Sequence, residues 1–200
     1  KKNKDKFRPA VIGLGYVGLP LLLNLEKKYF SIGFDKSRER VNNLNRGKDI
    51  FGEFEKKKIA KRNLKYSYNV KSLKNCNLFI ITVPTPILKN KKPDLSHLKN
   101  VCGLLSRIIK QNDIVIFEST VYPGVTNDFC IPLLQKNNDL QEGRDFFVGY
   151  SPERVNPGDN KHQLKNINKI LAYPHRYKKK EILKLYSKLG KKIIFSKNII

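Results

Sequence analysis

The run Gly13-Leu14-Gly15-Tyr16-Val17-Gly18 constrains this chain more than any other feature. It follows an apolar stretch, Ala10-Val11-Ile12, and opens onto a helical pattern that starts near Leu19. The next apolar stretch, Ser31-Ile32-Gly33-Phe34, ends in a carboxylate, Asp35, twenty-two residues after Gly13. Three spaced glycines say little by themselves. The strand before them, the helix after them and the acidic residue at this distance make the pattern of a dinucleotide-binding turn. Gly13 turns the chain tightly, Gly15 lets a pyrophosphate approach the backbone, and Gly18 lets the helix pack closely on the strand. The N–H groups and positive dipole end of that helix then face the phosphates.

Asp35 is placed to accept hydrogen bonds from ribose hydroxyls, which favours NAD over NADP because a 2′-phosphate would be repelled. Lys36, Arg38 and Arg40 follow at once and weigh against that preference. The rest of the chain alternates in the same way. Apolar strands are predicted at 10–14, 31–35, 65–67, 78–83, 114–117, 146–150, 170–172 and 193–195. Helices are predicted over 16–28, over 37–46 with Ser37 as N-cap, and over 126–135. Two more are marked by Leu98, Val101, Leu104, Leu105, Ile108 and Ile109, and by Ile182, Leu183, Tyr186 and Leu189. Residues 47–63 read as a polar loop with a short helix. Alternation of this kind implies an α/β fold: a Rossmann-like, doubly wound, mainly parallel sheet with helices on both faces. Residues 1–8 read as a basic tail and 9–200 as one domain, a length that suits the usual size of about 150 residues.

The net charge of +24 would suit nucleic acid or an anionic membrane. The lysines are spread along the chain, however, and no aromatic–basic interleaving suggests a stacking platform for bases. A basic surface also suits dinucleotides and nucleotide sugars, so charge does not discriminate. Nucleic acid and membrane are not the expected partners. No apolar run reaches the length of a membrane span, and no secretory signal precedes the first strand. Cys76, Cys102 and Cys130 are widely spaced and match neither a metal knuckle nor a disulfide framework. The chain is expected to be cytoplasmic, reduced and without a metal.

In an open α/β sheet, ligands bind beyond the carboxyl ends of the strands. Four polar turns lie there: the Gly13 turn, Val83-Pro84-Thr85-Pro86, Glu118-Ser119-Thr120 and Ser151-Pro152-Glu153-Arg154. They are expected to converge on one crevice. Glu153, a carboxylate just past a buried strand, suits acid–base or water-orienting work, or else a loop salt bridge or helix cap. Thr120 can hold a water or a cofactor group, or simply lead into a helix. His97, His162 and His175 sit in polar loops or at a helix start and are weaker candidates. No tyrosine is followed four residues later by lysine, so the catalytic pair of the short-chain reductases is missing.

The segments VIGLGYVGLPL, FIITVPTP, ESTVYPGVT and GYSPERVNPGD resemble nucleotide-sugar 6-dehydrogenases, most of all the UDP-N-acetylhexosamine branch. The resemblance covers about residues 8–200, and the last two segments are its most specific parts. It implies oxidation of a sugar C6 alcohol to a carboxylate with two NAD and one water, through a cysteine thioester, for a surface polysaccharide. By motif position, Gly13, Gly15, Tyr16, Val17, Gly18, Asp35 and Arg40 would contact NAD. Val83, Pro84, Thr85, Ser119 and Thr120 would line the nicotinamide side. Thr120 and Glu153 would be the catalytic, water-positioning and acid–base pair, and Glu153, Arg154, Val155 and Asn156 would meet the UDP-N-acetylhexosamine. UDP-glucose and GDP-mannose enzymes share much of this pattern, and a non-enzymatic basic Rossmann module is the remaining alternative.

The resemblance further places a central helix and the nucleophilic cysteine beyond residue 200. These 200 residues are therefore expected to bind NAD without turnover and to be mainly monomeric, the complete protein being a homodimer. One departure stands out: Ile170-Leu171-Ala172-Tyr173-Pro174 lies where the family usually has paired glycines.

Overall fold

A computed structural model describes residues 7–152 and 168–199. Among the described residues, eight strands form one sheet in the order β3-β2-β1-β4-β5-β6-β7-β8. They are β1 (Pro9–Ile12), β2 (Ser31–Phe34), β3 (Leu64–Ser67), β4 (Leu78–Ile81), β5 (Ile114–Phe117), β6 (Phe147–Tyr150), β7 (Asn168–Ala172) and β8 (Lys192–Ser196). All the pairs from β3 across to β6 are parallel, as is β7 with β8. Strand β7 runs antiparallel to β6, with Tyr150 opposite Ala172. The α-helices are α1 (Gly18–Leu25), α2 (Arg38–Asn45), α3 (Lys56–Ile59), α4 (Ser96–Leu105), α5 (Ile131–Gln135) and α6 (Lys179–Tyr186).

The central strands read as unbroken apolar runs because helices cover both faces of the sheet. Alternate residues then serve opposite cores. Val11, Ile80 and Ile116 pack with Leu19, Leu22 and Val41, whereas Ile12, Ile81 and Phe117 pack with Leu98, Cys102 and Leu134. Phe7, inside the stretch read as a basic tail, is buried and meets Tyr29 edge-on at 6.1 Å. Ser37 caps α2 as its sequence position suggests, accepting a hydrogen bond from the Arg40 N–H at 3.1 Å. The helix expected over 126–135 is instead a π-helix, Val125–Cys130, continuing into α5. Gly124, at φ 93°, leads into it.

The sheet reverses its direction of growth beside β1. The chain lays β2 and β3 on one side, then returns to lay β4 and β5 on the other. A reversal of this kind leaves a crevice beyond the carboxyl ends of the strands, where α/β folds bind their ligands.

Candidate functional site

A cavity of about 620 Å3 occupies that crevice. Its walls come from the carboxyl ends of β1, β2, β4 and β5 and from one face of α4. Gly13, Gly15, Tyr16, Val17, Asp35, Val83, Pro84, Thr85, Ser119 and Thr120 all line it, so three of the four polar turns read from the sequence converge. Gly18 and Arg40 stand behind the wall. Of the fourth turn, Ser151 is buried and its N–H donates to the Phe117 carbonyl at 2.9 Å. Glu153, Arg154, Val155 and Asn156 lie outside the described residues, as does His162.

The glycine turn shows why each glycine is needed. Gly13 sits at φ 98°, a conformation that L side chains rarely adopt, and a Cβ there would also press on the Thr82 carbonyl at 3.0 Å. A Cβ on Gly18 would overlap the Gly13 carbonyl oxygen and stand 2.5 Å from Thr82 Oγ1. Thr82 itself clamps the turn, its hydroxyl lying 2.7 Å from the Gly13 carbonyl and 3.1 Å from that of Ile12. Gly15 differs: nothing lies within 4 Å of where its Cβ would stand. That space opens onto the cavity.

No side chain caps the N-terminus of α1, and its first turn holds no acidic residue. The Leu19 N–H donates to the Gly15 carbonyl at 3.1 Å, the Leu21 N–H to the Val17 carbonyl at 3.3 Å, and Pro20 has no N–H, so what this end offers the cavity is the positive end of the helix dipole. Asp35 is held in one orientation. Its Oδ2 accepts from the Leu14 N–H at 2.8 Å and its Oδ1 from the Ser37 N–H at 2.9 Å. A carboxylate has about four lone-pair sites, so capacity for hydroxyl donors remains. An open space over Gly15, the positive end of α1 and an oriented carboxylate together fit a pyrophosphate joined to a ribose.

On the far side, two hydrogen bonds join the turns after β4 and β5. Ser119 Oγ donates to the Val83 carbonyl at 2.6 Å, and Thr85 Oγ1 donates to the Thr120 carbonyl at 2.5 Å. Thr120 is exposed at the end of this wall. Glu118 forms a buried ion pair with Lys169 of β7, at 2.6 Å. Lys36 Nζ lies 3.4 Å from His97 Nδ1 where β2 faces α4.

Several wall residues escaped the sequence reading. Asn100, Val101 and Leu104 come from α4, whose helical period was visible although its cavity face was not. Phe51 comes from the loop before α3. Arg40, expected at the cofactor, is turned under the glycine turn. Its Nε donates to the Leu14 carbonyl at 2.8 Å, and its Nη1 pairs with Asp49 at 2.6 Å. All three cysteines are free and buried. Burial pushes the Cys76 thiol up to about 11, and the Cys130 contact together with burial raises Cys102 as well, so neither offers a thiolate near neutral pH. Among the described residues no cluster of His, Cys, Asp and Glu can hold a metal ion, and no helix is long and apolar enough to cross a membrane.

The chain is similar to several dehydrogenases. The UDP-N-acetyl-D-glucosamine 6-dehydrogenase of Pseudomonas aeruginosa is 44% identical over 164 residues, which is 82% of this chain and 39% of that protein. The chain thus spans about two fifths of the length of the curated relatives it matches. The solved UDP-D-ManNAc dehydrogenase of Pyrococcus horikoshii superposes with a TM-score of 0.86 at 32% identity, over 96% of this chain and 47% of that one. A ternary complex of GDP-mannose dehydrogenase from Pseudomonas aeruginosa superposes with a TM-score of 0.84 at 25% identity, over 94% and 46%. The sequence profile of the UDP-glucose/GDP-mannose dehydrogenase family, NAD binding domain, matches residues 7–190, and with the glycine turn, the reversed sheet and the cavity between them the chain belongs to that family.

Proposed function

We propose that the 620 Å3 cavity holds NAD and that the chain is the cofactor-binding part of a UDP-N-acetylhexosamine 6-dehydrogenase. One observation carries the cofactor reading: the glycine turn, the uncapped end of α1 and the oriented Asp35 line one cavity at the point where the sheet reverses. The sugar class is supported by the UDP-N-acetyl-D-glucosamine relative at 44% identity. When bound, NAD accepts a hydride from the carbon being oxidised.

In this reading the N–H groups around Gly15 and Val17 hold the pyrophosphate, with Gly15 leaving the space it needs. Asp35 accepts from the hydroxyls of the adenosine ribose. The bonds from Ser119 to Val83 and from Thr85 to Thr120 keep the opposite wall rigid, and Val83 and Pro84 give it an apolar surface that excludes water from the nicotinamide side. Thr120, at the exposed end of that wall, positions a water with its hydroxyl, and Glu153 exchanges protons with it. Glu153, Arg154, Val155 and Asn156 meet the sugar nucleotide. With its three thiols buried, this chain alone binds NAD without oxidising the sugar. Three free cysteines, with no disulfide among the described residues, support a reducing cytoplasmic setting.

Titrating the chain into NADH and following the nucleotide's fluorescence tests the cofactor reading. Asp35→Ala is expected to weaken binding by about 1–3 kcal/mol through lost charged hydrogen bonds. Unchanged affinity would remove Asp35 from the ribose. Substrate trials with the complete protein test the sugar class; faster turnover of UDP-glucose than of a UDP-N-acetylhexosamine would overturn it.

A further inference from the structure

Between α2 and α3 the chain makes a turn built around one buried carboxylate. Asp49 Oδ1 accepts from Arg40 Nη1 at 2.6 Å and from the Phe51 N–H at 3.3 Å. Its Oδ2 accepts from the N–H groups of Glu53 and Phe54 at 3.1 and 3.3 Å. Arg40 is in turn fastened to the glycine turn through the Leu14 carbonyl. A buried ion pair therefore ties this loop directly to the phosphate-binding turn.

The loop places one residue on the cavity wall. The Phe51 ring stacks on Tyr16 with centroids 4.3 Å apart and planes 29° from parallel, and the Arg40 guanidinium carbon lies 4.5 Å from the Phe51 centroid. Both aromatic rings remain 38% exposed. Core packing does not account for two large rings stacked partly in solvent, one of them on a loop held by a buried ion pair and three backbone hydrogen bonds. Topology says which end of a dinucleotide they would meet. Phe51 belongs to the connection between β2 and β3, on the side of Asp35 and Lys36, whereas Val83, Ser119 and Thr120 stand on the opposite side at β4 and β5.

We propose that Phe51 is a cofactor-site residue: with Tyr16 it forms an aromatic wall against the adenosine diphosphate half of the dinucleotide, and the Arg40–Asp49 pair positions that wall. The inference rests on the reading that the cavity takes NAD. A ring over this end contacts the nucleoside through its faces and keeps water from the pyrophosphate, which strengthens the backbone N–H bonds to the phosphates in a drier setting. Arg40 thus serves the cofactor at one remove, as a positioning residue.

The test is to titrate the chain and its Phe51 variants with NADH and, by competition, with ADP-ribose, alongside urea unfolding curves. Phe51→Ala is expected to weaken both ligands alike, about three- to tenfold, as befits the loss of one aromatic contact. Phe51→Tyr restores affinity, and the urea curves are expected to show both variants fully folded under the conditions of the titration. Equal binding by Phe51→Ala, or weaker NADH binding with ADP-ribose unchanged, overturns the inference. A parent chain that binds no NADH overturns the cofactor reading itself, and the parent titration reads that outcome separately.

Discussion

Gly15 and Gly18 stand three residues apart in one turn, yet the space around them predicts opposite outcomes for the same substitution. At Gly15 a Cβ meets nothing within 4 Å, and the backbone is not in the left-handed region. Gly15→Ala should fold with stability unchanged or raised by up to about 1 kcal/mol, since alanine restricts the unfolded chain. The same methyl fills the approach to the backbone, so NADH affinity should fall at least about tenfold. At Gly18 the methyl collides with the Gly13 carbonyl and Thr82 Oγ1, and α1 must move away from β1. Gly18→Ala should cost about 1–3 kcal/mol of stability as overpacking does, and lose NADH binding with it. Urea unfolding and NADH titration of both variants check the pair. Wild-type affinity in Gly15→Ala would mean that the pyrophosphate does not pass there. These residues are legible in sequence because the turn is local. Phe51 is not, because its place depends on Asp49 meeting Arg40 nine positions earlier in the chain.

The elements were legible in proportion to how locally they are specified. Strands β4 and β5 announce themselves as apolar runs because they are buried on both faces, and the structure keeps them close to the expected spans. Direction is another matter: that β7 runs antiparallel to β6 is decided by contacts between segments distant in sequence. One such contact is the ion pair between Glu118, just past β5, and Lys169 on β7, with side chains 0% and 3% exposed. Neither residue's neighbours in sequence hint at the other. Breaking a buried ion pair at one partner typically costs about 3–5 kcal/mol, whereas replacing both with neutral groups of similar volume costs far less. Lys169→Met should therefore destabilise the fold by about that amount, and Glu118→Gln combined with Lys169→Met should recover most of it. Denaturant unfolding of the single and double variants measures the difference. A double variant as unstable as the single would mean that the pair holds this edge by something other than charge compensation.

For the whole molecule the dominant physical fact is charge: 41 Lys and Arg against 17 Asp and Glu. Such an excess repels itself, and protonating carboxylates on acidification adds to it, so stability should fall towards low pH for most of the chain's carboxylates. Asp113 opposes that trend. It lies at the amino end of β5, 1% exposed, and burial raises its pKa to about 6 against the lowering effect of Lys110. Lys110 lies within 3.0 Å, but its side chain is 45% exposed, so it compensates the buried carboxylate only in part. From its ordinary pKa of 3.8 up to about 6, the folded chain keeps the Asp113 proton that the unfolded chain gives up. The folded state then binds more protons, so this group's contribution to stability declines as pH rises through that window and stays low above it. A shift of this size corresponds to about 3 kcal/mol. Asp113→Asn keeps an oxygen acceptor for the Lys110 N–H and removes the ionisation. Measured by urea unfolding from pH 4 to pH 7, the variant should gain on the parent by up to about 3 kcal/mol, with the gain concentrated between pH 4 and 6. Taking the difference between the two proteins cancels the titration that the other carboxylates share. A difference that stays flat across the range would mean that Asp113 is ionised throughout, with Lys110 compensating its burial in full.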